Sequence, residues 1–412
     1  MQLNRAQWCW LLYDPGNAAF ALLVRAVFAP LFFMACVKGY WPESKATANW
    51  AMVCSLSGVF AGMLSLYFGA LADARRSRKL ALCISTIIGA VSSLMLAFTD
   101  DYRWVLLGYF IALAAYMVSN SFYDSLLLSV ARPAEYSFLS TLAYGCGYLG
   151  GLLPFLAILS LGILLKDKLL TARWAFVLAG CWWIIFTLPL LLGVKEAPGS
   201  SLQVRLFDGF SRLYRSLCTV FADCNCRLFL IAYFLYIDGV STILLMAAPI
   251  SVEIGMSETM LMMTILGLQI VGFPATILCG KLARKIGTRV TVHILQIIYI
   301  ITAALIGILS LSSGYQLKLG LFLLAAALIA MAQGGIQSLS RSLFGAIIPP
   351  EKAAEYFSVY NIFGKFTTII GPVLIYMASL LWQRSEYGIV LLIIPFAVGG
   401  WLLRKVDFPP GI

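Results

Sequence analysis

Hydrophobic positions along this chain come in long blocks. Twelve can be drawn, at about residues 8–37, 47–72, 80–99, 104–131, 138–165, 174–194, 228–252, 259–280, 290–311, 319–347, 353–381 and 387–403. A helix crossing the hydrocarbon of a bilayer needs about 17–25 mainly apolar residues, so every block predicts a membrane-spanning helix. The longer blocks are expected to tilt or protrude. None alternates with period two, which excludes a membrane β-barrel.

The polar stretches between blocks are short, with one exception. Residues 195–227 are polar and basic and divide six blocks from six. The expected organisation is a six-helix bundle over 1–194, a linker over 195–226 and a second six-helix bundle over 227–412. Inside the linker, Leu206, Phe210, Leu213, Tyr214 and Leu217 recur at helical spacing, with Arg205, Arg212 and Arg215 elsewhere. That pattern fits a short amphipathic helix on the membrane surface and fits a solvated linker equally well.

Charge sets the orientation. With the N-terminus inside, the inner block ends carry about 19 Lys and Arg and the outer ends about 8. The bias toward the inside predicts two cytoplasmic termini and a multi-pass protein of the cell (inner) membrane. It also accounts for most of the net charge of +11, so no nucleic-acid partner is implied. Composition agrees: 61% hydrophobic and 11% charged, against about 25% charged in soluble domains. The first apolar block is too long for a cleavable signal peptide. The ten cysteines are scattered and His293 is the single histidine. No metal site, disulfide framework or cofactor is expected, and His293, close to a basic turn, reads as a structural residue.

The two halves echo one another. GALADARRSRK (69–79) follows the second block and GKLARKIGTRV (280–290) the eighth; each has Gly-x-Leu-Ala and then a basic turn. ARPAEYSFLS (131–140) is similar to IPPEKAAEYFSVY (348–360). Tyr13, Asp14 and Gly16 in the first block match Tyr236, Asp238 and Gly239 in the seventh. Matching segments fall on the same side, which predicts two parallel pseudo-repeats, a plan common among secondary transporters.

GALADARRSRK resembles the loop motif of the major facilitator superfamily, through Gly69, Leu71, Asp73, Arg78 and Lys79. Ala74 and Ser77 depart from it. The resemblance implies that Asp73 pairs with a basic residue of the Arg78 type and helps set one access state. WLLYDPGNAAF, SFYDSLLLSVA, YGCGYLGG, FLYIDGVSTI and GGIQSLSRSLFGAIIPP resemble, in order, the vacuole-effluxer-like branch, related to an autophagy-linked vacuolar amino-acid exporter. Pro15-Gly16 and Asp124 depart from that branch. The resemblance implies the major facilitator fold: an all-α membrane protein of twelve transmembrane helices.

Charges inside the spans carry the candidate chemistry, because a charge at mid-membrane costs about 2.5–3.5 kcal/mol on insertion scales. Asp14, Arg25, Asp124, Asp238 and Lys365 lie in blocks 1, 4, 7 and 11; the interiors of blocks 3, 6, 9 and 12 carry none. Asp14 and Arg25, eleven residues apart, share a helix face but stand about 16 Å apart along the axis and cannot pair directly. Asp14 reads as the cap of a helix starting at Pro15 or as a gate or coupling acid. Asp124 reads as a group capped by solvent or Arg132, or as a site residue. Depth allows Asp238 to pair with Lys365 or Arg25. Arg341 lies in the matching region of block 10. Asn17, Tyr123, Tyr236, Gln337 and Asn361 add hydrogen-bonding groups on the same helices.

The sequence has no phosphate-cradling loop, metal-ligand cluster or histidine-based triad, so an enzyme is not expected. The reading is a monomeric secondary transporter working by alternating access, with a small polar solute, an amino acid foremost, and a proton or another ion as partners. Arg25 or Arg341 would attract a carboxylate; Asp14 or Asp238 would bind an ammonium group or a proton. The alternatives are a drug/proton antiporter and a non-transporting membrane receptor or lipid-handling protein.

Overall fold

The computed structural model of the chain describes residues 3–196, 217–365, 371, 374, 377 and 386–409. Most of the linker, including the amphipathic stretch up to residue 216, lies outside the described residues, as does most of the eleventh block beyond 365. Helices, numbered here in chain order, take up the apolar blocks. They are α1 (Arg5–Val37), α2 (Glu43–Arg75), α3 (Arg78–Leu96), α4 (Tyr102–Val130), α5 (Tyr136–Leu165), α6 (Lys168–Gly193), α7 (Cys224–Ile254), α8 (Glu258–Ile286), α9 (Thr288–Leu311), α10 (Tyr315–Ile347), α11 (Ala353–Lys365) and α12 (Glu386–Leu391 with Ile393–Leu403). Among the described residues, ten helices are long and apolar enough to cross a membrane; α11 and α12 are shorter in their described parts.

Local sequence sets the helix ends. Asn4 caps α1 in a reciprocal box with Gln7, satisfying donors that no helix can satisfy internally. Asp101, Asp167 and Ser257 accept from first-turn N–H groups of α4, α6 and α8. Arg76 closes α2 in the left-handed region, at φ 48°, and the turn from α8 to α9 is the single residue Gly287, at φ 94°.

Helix α1 is not one regular cylinder. It breaks after Leu11, resumes at Tyr13, and from Phe20 to Phe28 is wound as a π-helix before returning to α geometry at Ala29. Wide turns of this kind are rare and concentrate at functional sites. Helices α3 and α9 instead expose regular apolar stripes: Leu80, Ile84, Ile87, Ile88, Val91 and Met95 on one, Ile294, Ile297, Ile301 and Ile308 on the other. An apolar outer face is what lipid contact requires.

Contacts divide the described chain into two compact units. One contains residues 1–132, 146–218 and 349–361; the other contains 133–145, 219–348 and 362–412. Thus α5 begins in the second unit and continues in the first, and the first turns of α11 belong to the first unit.

In the first unit, an added Cβ at Gly150 would overlap the backbone of Pro15. Backbones approach this closely only where a side chain is absent. Gly150→Leu is therefore expected to separate α5 from α1 and to destabilise the purified protein by about 1–3 kcal/mol, the usual cost of overpacking. A thermal-unfolding midpoint equal to that of the wild type would refute the contact.

Candidate functional site

The first unit gathers the polar groups of α1 and α4 in an aromatic frame. Trp10 stacks on Tyr123 with centroids 4.6 Å apart, and Tyr13 lies 4.6 Å from the same ring. Trp10 Nε1 donates to the Tyr123 carbonyl at 3.1 Å, and Trp183 Nε1, from α6, donates to the Tyr13 hydroxyl at 3.3 Å. All four rings are buried. Buried indole and phenol groups need polar partners, and this frame supplies them.

Within the frame the Tyr123 hydroxyl donates to Asp14 Oδ2 at 3.2 Å, and Asp14 is 8% exposed. The cap reading of Asp14 is thereby corrected. The first segment of α1 starts at Arg5 under Asn4, and Asp14 lies in the first turn of the segment that resumes at Tyr13, where Leu12 holds the cap position and no side chain caps it. One turn further on, Asn17 Nδ2 donates to Asn120 Oδ1 at 2.8 Å, while its own Oδ1 is buried without a hydrogen-bond partner. Such an acceptor costs about 1–3 kcal/mol when unmet, so it marks a place where a ligand donor would be favourable.

For Asp124, one residue beyond Tyr123, the solvent-capped alternative is corrected. It is buried at 7% exposure, and Asn361 Nδ2 donates to its Oδ2 at 2.9 Å; it is not a solvent-capped helix end. Arg25 lies in the π-helical segment, exposed, within electrostatic reach of Cys54 on α2 and Tyr109 on α4.

The second unit has its own cluster. Asp238 on α7 is fully buried, and the Gly371 N–H donates to its Oδ2 at 2.6 Å. Tyr236, two residues earlier, is fully buried with its hydroxyl 2.7 Å from Ser340 Oγ on α10. Arg341, beside Ser340, is 2% exposed. Its Nε donates to Ser140 Oγ at 2.9 Å and its Nη2 to the Ser140 carbonyl at 3.2 Å, and its guanidinium carbon stands 4.7 Å from the centre of the Tyr144 ring. Gln337 is half-buried one turn before Arg341. Of Lys365 only the backbone, at the end of α11, is described, so its pairing with Asp238 lies outside the described residues.

The basic-turn motif forms a third cluster, in the first unit. Arg78 Nε meets Asp73 Oδ1 at 2.6 Å. Asp73 also accepts from the N–H groups of Ala354 at 3.1 Å and Glu355 at 2.8 Å, at the start of α11. Arg78 Nη2 reaches the carbonyls of Pro350 and Glu351. Gly69 lies against Ser358 and Ala354, where a Cβ would meet the Ser358 hydroxyl at 2.8 Å.

Several participants had no sequence signal. Trp183 sits on a helix whose interior carries no charge, and Asn120 and Ser340 are ordinary helical polar residues. Nothing in the sequence marks the Gly371 N–H as a donor to Asp238.

Residues 131–411 match the family described as vacuole effluxer Atg22 like. The chain belongs to the vacuole effluxer Atg22-like family. An MFS-type transporter of Bacillus subtilis strain 168, YxiO, described as uncharacterized, is 31% identical to this Atg22-like chain over 410 residues, covering 96% of the chain and 94% of YxiO. Autophagy-related protein 22 of Yarrowia lipolytica is 25% identical over 295 residues, covering 64% of the chain and about half (49%) of that protein. Two solved structures share the fold. One is the human organic anion transporter MFSD10, with a TM-score of 0.76 at 14% identity over 97% of this chain and 99% of that one. The other is the proton:xylose symporter XylE, with a TM-score of 0.75 at 14% identity over 99% and 96%. The Atg22-like chain is a multi-pass membrane transporter of the major facilitator fold; YxiO and MFSD10 are described as transporters and XylE as a symporter.

Proposed function

We propose that this protein is a proton-coupled secondary transporter that moves a small polar solute, an amino acid foremost, by alternating access across the cell membrane, with both termini cytoplasmic. The carrying observation is that the first helix of each repeat holds a buried carboxylate, Asp14 in α1 and Asp238 in α7. Intramembrane carboxylates are costly to keep, and a repeated one is best explained by work that needs it. In the first unit Asp14 and the unmet Asn17 oxygen offer acceptors suited to an ammonium group, while Arg25 on the same helix offers a donor suited to a carboxylate. Arg341 is a second cation of that type. Protonating one acid would change which access state is favoured, and a ligand shifts such an equilibrium only through differential affinity for the two states.

The test is uptake by purified protein in liposomes, with an amino-acid panel, with and without a pH gradient. Asp14→Asn keeps the shape and the bond from Tyr123 but cannot titrate. It is expected to lower gradient-driven uptake by about tenfold or more, the effect of losing one charged hydrogen bond. Unchanged flux and unchanged pH dependence would overturn the coupling role.

A further inference from the structure

The aromatic frame around Asp14 continues one turn along α1 and α4. The two helices meet antiparallel, Tyr13 against Tyr123, Asn17 against Asn120 and Phe20 against Tyr116. Trp10 closes the first pair by stacking on Tyr123. Trp183 closes the third, its ring centre 4.8 Å from that of Phe20 and 6.0 Å from that of Tyr116, while Phe20 stacks on Tyr116 at 5.1 Å. Two layers of buried rings therefore enclose one layer of amide, and all of it lies within the first unit.

Asn17 and Asn120 share one hydrogen bond, from Asn17 Nδ2 to Asn120 Oδ1 at 2.8 Å. Two facing amides can exchange two such bonds. Here the second is not made. Asn17 Oδ1 is buried without a partner, and Asn120 Nδ2 makes no hydrogen bond among the described residues. The pair thus presents one acceptor and one donor. Turning both amides over exchanges the two roles and leaves the same complement, one of each. Asn17 is 8% exposed and Asn120 is half-buried. A buried polar atom left unmet is costly, so a pair serving only to glue two helices would close both bonds.

The complement discriminates between chemical groups. An ammonium group carries donors only and would leave Asn120 Nδ2 unmet. A carboxylate carries acceptors only and would leave Asn17 Oδ1 unmet. A carboxamide carries both. Its N–H meets Asn17 Oδ1 and its carbonyl meets Asn120 Nδ2, which closes a ring of amides. It is also flat, which suits a layer held between rings.

We propose that Asn17 and Asn120 read a carboxamide, and that the solute is an amino acid of the glutamine type. This rests on the amino-acid transport proposed above for the rest of the solute. Asp14 precedes Asn17 by three residues on α1. Side chains at that spacing stand about 5–6 Å apart, which matches the reach from the ammonium nitrogen to the side-chain amide of extended glutamine. Asp14 keeps the ammonium group, and Asn17 serves the side-chain end. A site built to hydrogen-bond a group rejects analogues that lack it, because its own polar atoms are then left unpaired.

The full-length protein is purified in neutral detergent, and its unfolding midpoint is followed against L-glutamine, L-glutamate, L-methionine and propionamide at matched pH and ionic strength. A ligand that binds the native state raises the midpoint with its occupancy. The wild type is expected to respond to glutamine at concentrations about tenfold or more below those of glutamate and methionine, which have similar length without the donor–acceptor pair. Asn17→Asp turns the site into acceptors only, and Asn120→Leu removes the donor. Each is expected to cut the preference for glutamine over methionine by roughly tenfold. Loss of helix packing alone would weaken both amino acids alike and leave that ratio unchanged. A response to propionamide without one to glutamine supports the carboxamide site and overturns the amino-acid solute. Equal responses to glutamine, glutamate and methionine, or an unchanged ratio in both variants, overturn the carboxamide site and leave amino-acid transport standing. A wild type indifferent to glutamine and to propionamide overturns the site without any variant.

Discussion

Replacing Asp73 by alanine is expected to destabilise the protein by about 3–5 kcal/mol, the usual effect of removing one partner of a buried ion pair. Both side chains are shielded, at 6% exposure for Asp73 and 10% for Arg78, so solvent does little to screen the loss. Three donors converge on the Asp73 carboxylate: Arg78 Nε and the N–H groups of Ala354 and Glu355. Alanine leaves all three unmet. Asparagine restores only one acceptor and turns an NH₂ group toward the remaining donors, so Asp73→Asn should recover little. Arg78→Ala in the Asp73→Ala background should cost less than it does alone, because the stranded guanidinium is then gone. Thermal unfolding of the four proteins as a double-mutant cycle measures this coupling. Additive effects would show that the ion pair is not the source of the stability.

The fold was legible in the sequence because a bilayer imposes a length on every span, and the blocks meet that length. The repeat was legible because Gly-x-Leu-Ala recurs where a helix must pass close to a hydroxyl of another, Gly69 against Ser358 and Gly280 against Thr141. The sequence left Asp14 open between a cap and a coupling acid, since Asp-Pro is a good start for a helix and nothing in the pattern ranks Asn4 above it. The π-helical turns of Phe20–Phe28 leave no mark on composition, because FALLVRAVF suits either winding. Chemistry that depends on distant partners was the least legible. Glu196 caps a helix more than a hundred residues earlier in the chain, and Trp183 reaches Tyr13 from a helix whose interior carries no charge.

Asp238→Asn should separate structure from transport in the second repeat. The carboxylate is fully buried and accepts the Gly371 N–H at 2.6 Å. Asparagine can keep that acceptor through Oδ1, so the variant should fold with a near-native unfolding midpoint. It cannot take up or release a proton. If Asp238 is a coupling acid, gradient-driven uptake in liposomes should fall by about 100-fold, roughly 2.7 kcal/mol of lost stabilisation, while counterflow without a gradient should fall far less. Alanine would confound the experiment, since it strands the Gly371 donor in the protein interior at about 1–3 kcal/mol. Gly371→Ala tests the other side of the contact, because a Cβ there would overlap the Thr242 hydroxyl, one turn after Asp238 on α7. That variant should lose stability as well as flux. Equal losses of flux and stability in Asp238→Asn would make the carboxylate a structural clamp between α7 and Gly371. A loss of flux alone would assign it to coupling.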